Sequence, residues 1–222
     1  MISNKRNHGN SEITKIIKDD IYKVRKYPQD YFDFIVDIGA NIGVFSIMMR
    51  MLHPHAKIYA FEPAIETFEY LKKNTNMLEI DLYQIALGNG NKLYFKDREQ
   101  HLLCTKFIEA PSEQTYEVES LTLPNIFSKL KLDTNKRYLL KIDCEGGEKY
   151  LVNDELSESI IQKSIQTSLE IHFKSPSTEE DFWLDYNTYD DWIRSKINKH
   201  TIEYYCSNRK RGYGHYCMRR QC

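Results

Sequence analysis

Two turns that combine acids with glycines carry the chemistry legible in this sequence. The first, Asp37-Ile-Gly-Ala-Asn-Ile-Gly43, follows the buried-strand pattern Phe34-Ile-Val-Asp37 and opens an apolar helical stretch reaching about Leu52. Gly39 can take the positive φ of a sharp strand-to-helix turn, and Gly43 lets a ligand or the strand come close to the helix start. That start presents unpaired backbone N–H groups to an anionic end of a ligand. A pyrophosphate site would need Gly-x-Gly-x-x-Gly, and the middle glycine is absent. Asp37 favours a positive group near the turn. Glu62, at the end of the strand pattern Lys57–Phe61, is placed to accept both hydrogen bonds of a ribose diol. A ligand with ammonium, carboxylate and ribose but no phosphate satisfies both ends, and S-adenosylmethionine is such a ligand.

The second turn, Asp143-Cys-Glu-Gly-Gly-Glu148, ends the strand pattern Tyr138–Asp143. Methyl transfer from a sulfonium is an in-line displacement, so the protein must chiefly align acceptor, methyl and sulfur. A hydroxyl acceptor must also give up its proton. Asp143 is the first candidate to orient or deprotonate the acceptor. Glu145 is the second, with capping of the next helix as its structural alternative. Glu170 and His172 alternate with Leu169 and Ile171 on the strand Ser164–Phe173, so they share one face near its end and reach the same cleft. His172, with an ordinary pKa of about 6.5, is a proton acceptor near neutral pH or else a hydrogen-bonded core histidine. Together with Asp143, Glu170 and His172 offer a ligand set for a divalent cation as an alternative role, although no metal belongs to the expected cofactor set.

These residues need a scaffold of alternating strands and helices. The 222 residues are 41% hydrophobic and 13% aromatic, enough for a packed core, and a net charge of −1 excludes a polycation built to coat nucleic acid or anionic membrane. Helical stretches follow at Ser11–Tyr27, after Pro63, after Pro124, over Glu148–Leu156 and over Thr188–Asn198; further strands follow at Asp81–Leu87, Lys92–Phe95 and Thr115–Val118. Thr201–Cys206 and Gly214–Arg219 read as a terminal hairpin. The alternation implies an α/β fold with a parallel sheet covered on both faces and a terminal antiparallel hairpin. Met1–Asn10 is polar, and the apolar window Ile35–Leu52 is interrupted by Asp37, Asn41 and Arg50, so it reads as strand, turn and helix, not as a membrane span. Five cysteines without a CxxC pair are read as reduced thiols of a cytoplasmic protein.

The runs Val36–Gly43, Phe61-Glu-Pro63, Ile85–Leu87, Leu121–Leu123, Leu140–Glu148 and Leu169-Glu-Ile-His172 resemble the FkbM family of methyltransferases, over roughly residues 33 to 206. Cys144 and Gly147 stand where that family more often has Val and Ala. The resemblance implies a class I methyltransferase Rossmann-like fold with a mostly parallel seven-stranded sheet. It implies S-adenosylmethionine as donor, held by Asp37, Gly39, Ala40, Asn41, Gly43, Glu62 and Pro63, with Gln84 to Ala86 approaching the adenine. Asp143 would sit beside the transferring methyl. The expected acceptor is a hydroxyl on a sugar, glycan or other polyol. Residues 1–30 form an N-terminal helical extension on this reading, and 31–222 the transferase domain. Residues 199–222 carry six basic side chains against one acid, so Arg209, Lys210 and Arg211 motivate a nucleic-acid 2′-O-methyltransferase as an alternative; a non-catalytic donor-binding scaffold is another.

Overall fold

The computed structural model describes residues 13–95, 115–174, 184–197, 200–202 and 212–220, and the backbone alone of 107–108 and 203–208. The strands are β1 (Phe34–Ile38), β2 (Lys57–Phe61), β3 (Ile80–Tyr83), β4 (Ala86–Leu87), β5 (Leu93–Phe95), β6 (Phe107–Ile108), β7 (Tyr116–Val118), β8 (Ser120–Leu121), β9 (Tyr138–Ile142), β10 (Gln166–His172), β11 (His200–Asn208) and β12 (Tyr213–Arg220). Seven of them form one sheet in the order β11-β12-β10-β9-β1-β2-β3. The pairs from β3 to β10 are parallel, and β12 and β11 close the edge antiparallel. This is the α/β architecture the alternation of elements implies.

All five residues of β1 and of β9 are buried, as expected for central strands covered on both faces. On one face Phe34, Val36, Leu140, Ile142, Leu169 and Ile171 pack against the helices Leu123–Lys129, Glu155–Lys163 and Tyr186–Lys196. On the other, Ile35, Ile58, Ala60 and Leu139 pack against the helices Val44–Leu52 and Ile65–Thr75 and against Tyr22, Val24 and Phe32. The alternation of side chains along each strand sends Asp37, Lys141, Ser168, Glu170, His215 and Cys217 toward this second face. Their registers, Asp37 with Lys141, Lys141 with Ser168, Ser168 with Cys217 and Glu170 with His215, line them up across four strands. A polar layer therefore crosses an otherwise apolar sheet, and the segment around Tyr22 covers it.

The chain runs β1, β2, β3 outward on one side of β1 and then returns to β9 on the other. The carboxyl ends of β1 and β9 thus flank the point where strand order reverses, which is where open α/β sheets bind ligands. Ile38 pairs with Ile142, so the two acid-and-glycine turns leave the sheet side by side.

Three elements differ from the sequence expectation. The first helix stops at Ile17 instead of reaching Tyr27. Asp20 and Lys23 adopt positive φ, and the Asp20 carboxylate accepts the backbone N–H groups of Val24 and Arg25, folding the chain into turns that drop Tyr22 and Val24 into the core. The expected strand Asp81–Leu87 is split: β3 ends at Tyr83, and Ala86–Leu87 pairs with β8 in a separate two-stranded sheet. The helix expected over Glu148–Leu156 is a 3-10 turn, Gly147–Leu151, followed after a positive-φ Asn153 by the helix Glu155–Lys163. The hairpin is present; Cys206 pairs in register with His215, and the buried Cys217, opposite Tyr204, is not in a disulfide.

Gly39, at φ +78°, fixes how closely the two turns approach: a Cβ there would lie 1.7 Å from the carbonyl oxygen of Asp143. Gly39→Ala is expected to lower the unfolding free energy by about 4 kcal/mol, because it adds a backbone collision to left-handed strain. Gly90→Ala, at φ +88° with nothing within 4 Å of the new methyl, should cost only about 1–2 kcal/mol. Urea unfolding midpoints compare the two.

Candidate active site

The donor side is built by the end of β1, the end of β2 and the start of the helix Val44–Leu52. The backbone N–H groups of Gly39 and Ala40 both donate to the carbonyl of Phe61, which ties the β1 turn to β2. Asn41 then turns with φ +52° and donates its N–H to Glu62 Oε2 at 2.9 Å, while Ala64 N–H donates to Glu62 Oε1 at 2.9 Å. Each Glu62 oxygen has a second lone pair, so the carboxylate can still accept from a ligand diol. Burial raises the Glu62 carboxyl to about 7, against the opposing pull of these two N–H groups. The helix begins at Gly43, φ +92°, without a side-chain cap, so its first turn keeps N–H groups for an anionic ligand end. Gln84 Nε2 donates to the carbonyl of Pro63 at 3.4 Å, keeping both at the rim. Ala86 is buried and paired with β8, away from the seven-stranded sheet. This arrangement fits S-adenosylmethionine: a diol acceptor, an uncapped helix start and no phosphate loop.

Asp37 does not meet this pocket directly. It is fully buried, its Oδ2 accepts from Ser46 Oγ at 2.6 Å, and its Oδ1 faces Lys141 Nζ at 3.3 Å. The positive group expected beside Asp37 is thus Lys141 of the same chain. Burial would strip the Lys141 proton, but Asp37 and Asp143 hold it on, and its affinity for the proton is above that of an ordinary lysine. Burial raises the Asp37 carboxyl despite Lys141 and Ser46. The Lys141 ammonium also donates to the carbonyls of Ile38 and Gly39 and stands 3.7 Å from Asp143 Oδ2.

On the reaction side the structure brings Asp143, Glu145, Glu170 and His172 together. Tyr22 Oη donates to Asp143 Oδ2 at 3.0 Å. Burial pushes the Asp143 carboxyl up, but Lys141, His172 and His215 together with the Tyr22 hydroxyl outweigh it and bring it below the ordinary value. His172 Nε2 stands 3.6 Å from Glu145 and 3.7 Å from Glu170, and its Nδ1 stands 3.2 Å from Glu148. Burial disfavours an imidazolium, yet Glu145, Glu148 and Glu170 overcome it and raise His172 well above an ordinary histidine. These carboxylates favour the protonated imidazole, whereas the sequence reading gave His172 as a proton acceptor. Glu170 is raised by burial and by Asp143, and its Oε2 stands 3.1 Å from His215 Nε2. His215 is lowered by burial, against the pull of Asp143. Glu145, at φ +54°, faces His172; the helix-turn bonds expected of it are made by Glu148, which accepts from the N–H groups of Cys144 and Gly146 at 2.8 Å each. The Cys144 thiol is kept protonated by burial and by Glu148. Asp143, Glu170 and His172 place one ligand atom each within 4.8 Å of one another, so they are the described residues able to hold a metal.

Sequence reasoning missed Tyr22, Lys141, Glu148 and His215. Lys141 was visible as a charge inside a run of buried residues, and Glu148 as the last acid of its turn; Tyr22 and His215 reach the site only through tertiary packing. Tyr186 packs on Phe173 with ring centroids 5.2 Å apart, and Arg209, Lys210 and Arg211 lie outside the described residues.

The raised Glu62 carboxyl has a definite consequence for stability. Folded protein binds its proton up to about pH 7, whereas the unfolded chain releases it near 4.5, so stability falls as pH rises between these values. The unfolding free energy of wild type relative to Glu62→Gln should therefore drop by about 3 kcal/mol from pH 4.5 to pH 8 in the ligand-free protein. Chemical denaturation across that range measures it, and a difference independent of pH would contradict the burial assigned to Glu62.

Comparison with known proteins places this site in context. A 43%-identical match over 42 residues links it to the 31-O-demethyl-FK506 methyltransferase FkbM of Streptomyces tacrolimicus, covering 19% of this chain and 16% of that one. Methyltransferase 1 of Beauveria bassiana is 30% identical, over 60% of this chain and 62% of its own length, so the match spans less than two thirds of either relative. Among solved structures, the FkbM methyltransferase of Methylobacillus flagellatus aligns with a TM-score of 0.51 at 14% identity, over 84% of this chain and 43% of that one. A putative rRNA methylase of Clostridium thermocellum aligns at 0.52 and 8% identity, over 100% and 98%. Both share the class I methyltransferase fold. The family model of the methyltransferase FkbM domain matches residues 37–208, from the acid of the first turn to the end of β11, and the chain belongs to that family.

Proposed function

We propose that this chain is an S-adenosylmethionine-dependent O-methyltransferase whose acceptor is a hydroxyl of a sugar, glycan or other polyol small molecule. The observation that carries this reading is the contact between the two turns. Gly39 on the donor side packs against the backbone of Asp143 on the reaction side, so donor pocket and acid share one wall. The donor supplies an activated methyl on a sulfonium. Glu62 accepts the ribose hydroxyls, the uncapped start of the helix Val44–Leu52 receives the carboxylate, and Pro63 and Gln84 border the adenine. Asp37 and Lys141 are positioning residues that hold the end of β1 against the end of β9.

On the acceptor side, Asp143 stays ionised and its orientation is set by Tyr22, so it accepts the hydrogen bond of an incoming hydroxyl and aims the oxygen. Glu170 has the higher proton affinity of these two neighbouring carboxylates and is the better acceptor for the released proton. His172 supplies the positive charge that lets these acids sit together. The Streptomyces relative, whose name specifies a 31-O-demethyl substrate, supports oxygen as the acceptor atom.

Two variants test the division of labour. In Glu62→Ala, calorimetry should show affinity for S-adenosylhomocysteine falling at least about tenfold, the loss expected when hydrogen bonds to a charged group go. Asp143→Asn should bind that product within about threefold of wild type while transfer of labelled methyl to the small-molecule fraction of a cell extract falls about 10²–10⁴-fold. Full turnover in Asp143→Asn, or label recovered on nitrogen or carbon by mass spectrometry, would refute the proposal.

A further inference from the structure

We infer that Asp143, Glu170 and His172 form a binding site for one divalent transition-metal cation, of the manganese or zinc type, on the acceptor side of the site. Its role in holding an acceptor oxygen rests on the proposed O-methyl transfer; the binding itself does not.

Three donor atoms from the ends of two neighbouring strands lie within 4.8 Å of one another, and His172 Nε2 to Glu170 Oε1 is 3.7 Å. What distinguishes them from a chance cluster is that each is held from behind by a different side chain. Glu148 lies 3.2 Å from His172 Nδ1 and is itself fixed by two backbone N–H groups. In the metal-bound form, a proton kept on Nδ1 and shared with Glu148 turns the Nε2 lone pair toward the two acids. His215 lies 3.1 Å from Glu170 Oε2, the oxygen turned away from His172. Tyr22 donates to Asp143 Oδ2 at 3.0 Å. A carboxylate behind a ligating histidine and hydrogen bonds behind ligating carboxylates are the outer contacts that orient metal ligands.

Charge points the same way. Glu145, Glu148 and Glu170 converge on one imidazole, Glu148 wholly buried and Glu170 partly, while Asp143 beside them is paired with Lys141. A divalent ion at Nε2 would take the place of the proton there and neutralise more of this charge. One imidazole nitrogen with two carboxylates suits manganese, iron or zinc better than calcium, which takes six to eight oxygens. The incomplete ligand set leaves positions for water or for an acceptor hydroxyl, whose proton such an ion makes more acidic.

The test is titration of Mn²⁺ into the full chain, following loss of the free-ion electron paramagnetic resonance signal. One saturable site is expected, weakened at least about tenfold in Glu170→Gln and in His172→Gln, and about 10–100-fold in Glu148→Gln, which meets the imidazole only at Nδ1. Calorimetry with S-adenosylhomocysteine on the same samples reports whether each variant is folded. Should a variant fail to fold, substoichiometric Mn²⁺ added to wild type should broaden the NMR signals of His172 and His215 before that of the exposed His55. No saturable binding up to about 1 mM Mn²⁺, undiminished binding in the folded variants, or broadening that starts at His55 would overturn the inference. Mn²⁺ binding without methyl transfer to oxygen would uphold this site and refute the function proposed above; transfer by a chain that binds no Mn²⁺ would do the reverse.

Discussion

The Lys141 ammonium sits beneath both turns, 4% exposed, between a fully buried Asp37 and Asp143, and it also donates to the carbonyls that end β1. A charge in that position is tolerated only because it is paired on two sides and its protons are used. Removing one partner would leave a buried charge uncompensated, a far larger loss than a surface ion pair would cause. The same contact joins two turns contributed by strands about a hundred residues apart in sequence, as the pairing of Asp37 with Lys141 shows. Both sides of the site inherit their relative position from it.

Around this anchor the acids divide by environment. Asp143 meets a lysine, two histidines and a phenol, and it stays ionised. Glu170, partly buried and next to Asp143, holds a proton more tightly. Glu62 is enclosed too, but two backbone N–H groups restrain it. Four carboxyl groups of similar intrinsic acidity thus acquire different tasks from burial and neighbours, with Asp37 given over to structure. The polar layer that makes this possible is covered by the turn carrying Tyr22, whose backbone carbonyl accepts from Gln166 and Ser168 of β10. A short, turn-rich segment ahead of the first strand therefore closes the roof of the chemistry.

Much of the fold was legible because it is written in local patterns. Phe34–Val36 and Tyr138–Leu140 are apolar runs that lead into a charged residue and then an acid-and-glycine turn, and Pro124 falls in the first turn of its helix as its ring requires. Errors arose where side-chain chemistry overrides periodicity. The spacing of Ile13, Ile16, Ile17, Ile21 and Val24 suits a helix, but the Asp20 carboxylate takes the backbone N–H groups that would continue it. Asn153, with positive φ, likewise moved a helix several residues along the chain.

The sequence by itself determined the two turns, the acids Glu62, Asp143, Glu145 and Glu170 with His172, and an alternating α/β scaffold, since each depends on neighbours in the chain or on strand periodicity. Only the tertiary structure decided that Lys141 occupies the place beside Asp37, that Glu148 and not Glu145 ties down its turn, and that Tyr22 and His215 complete the site. It also placed three carboxylates around His172, which raise its affinity for a proton. Those outcomes depend on how many charges share a small buried volume, and strands distant in sequence supply them.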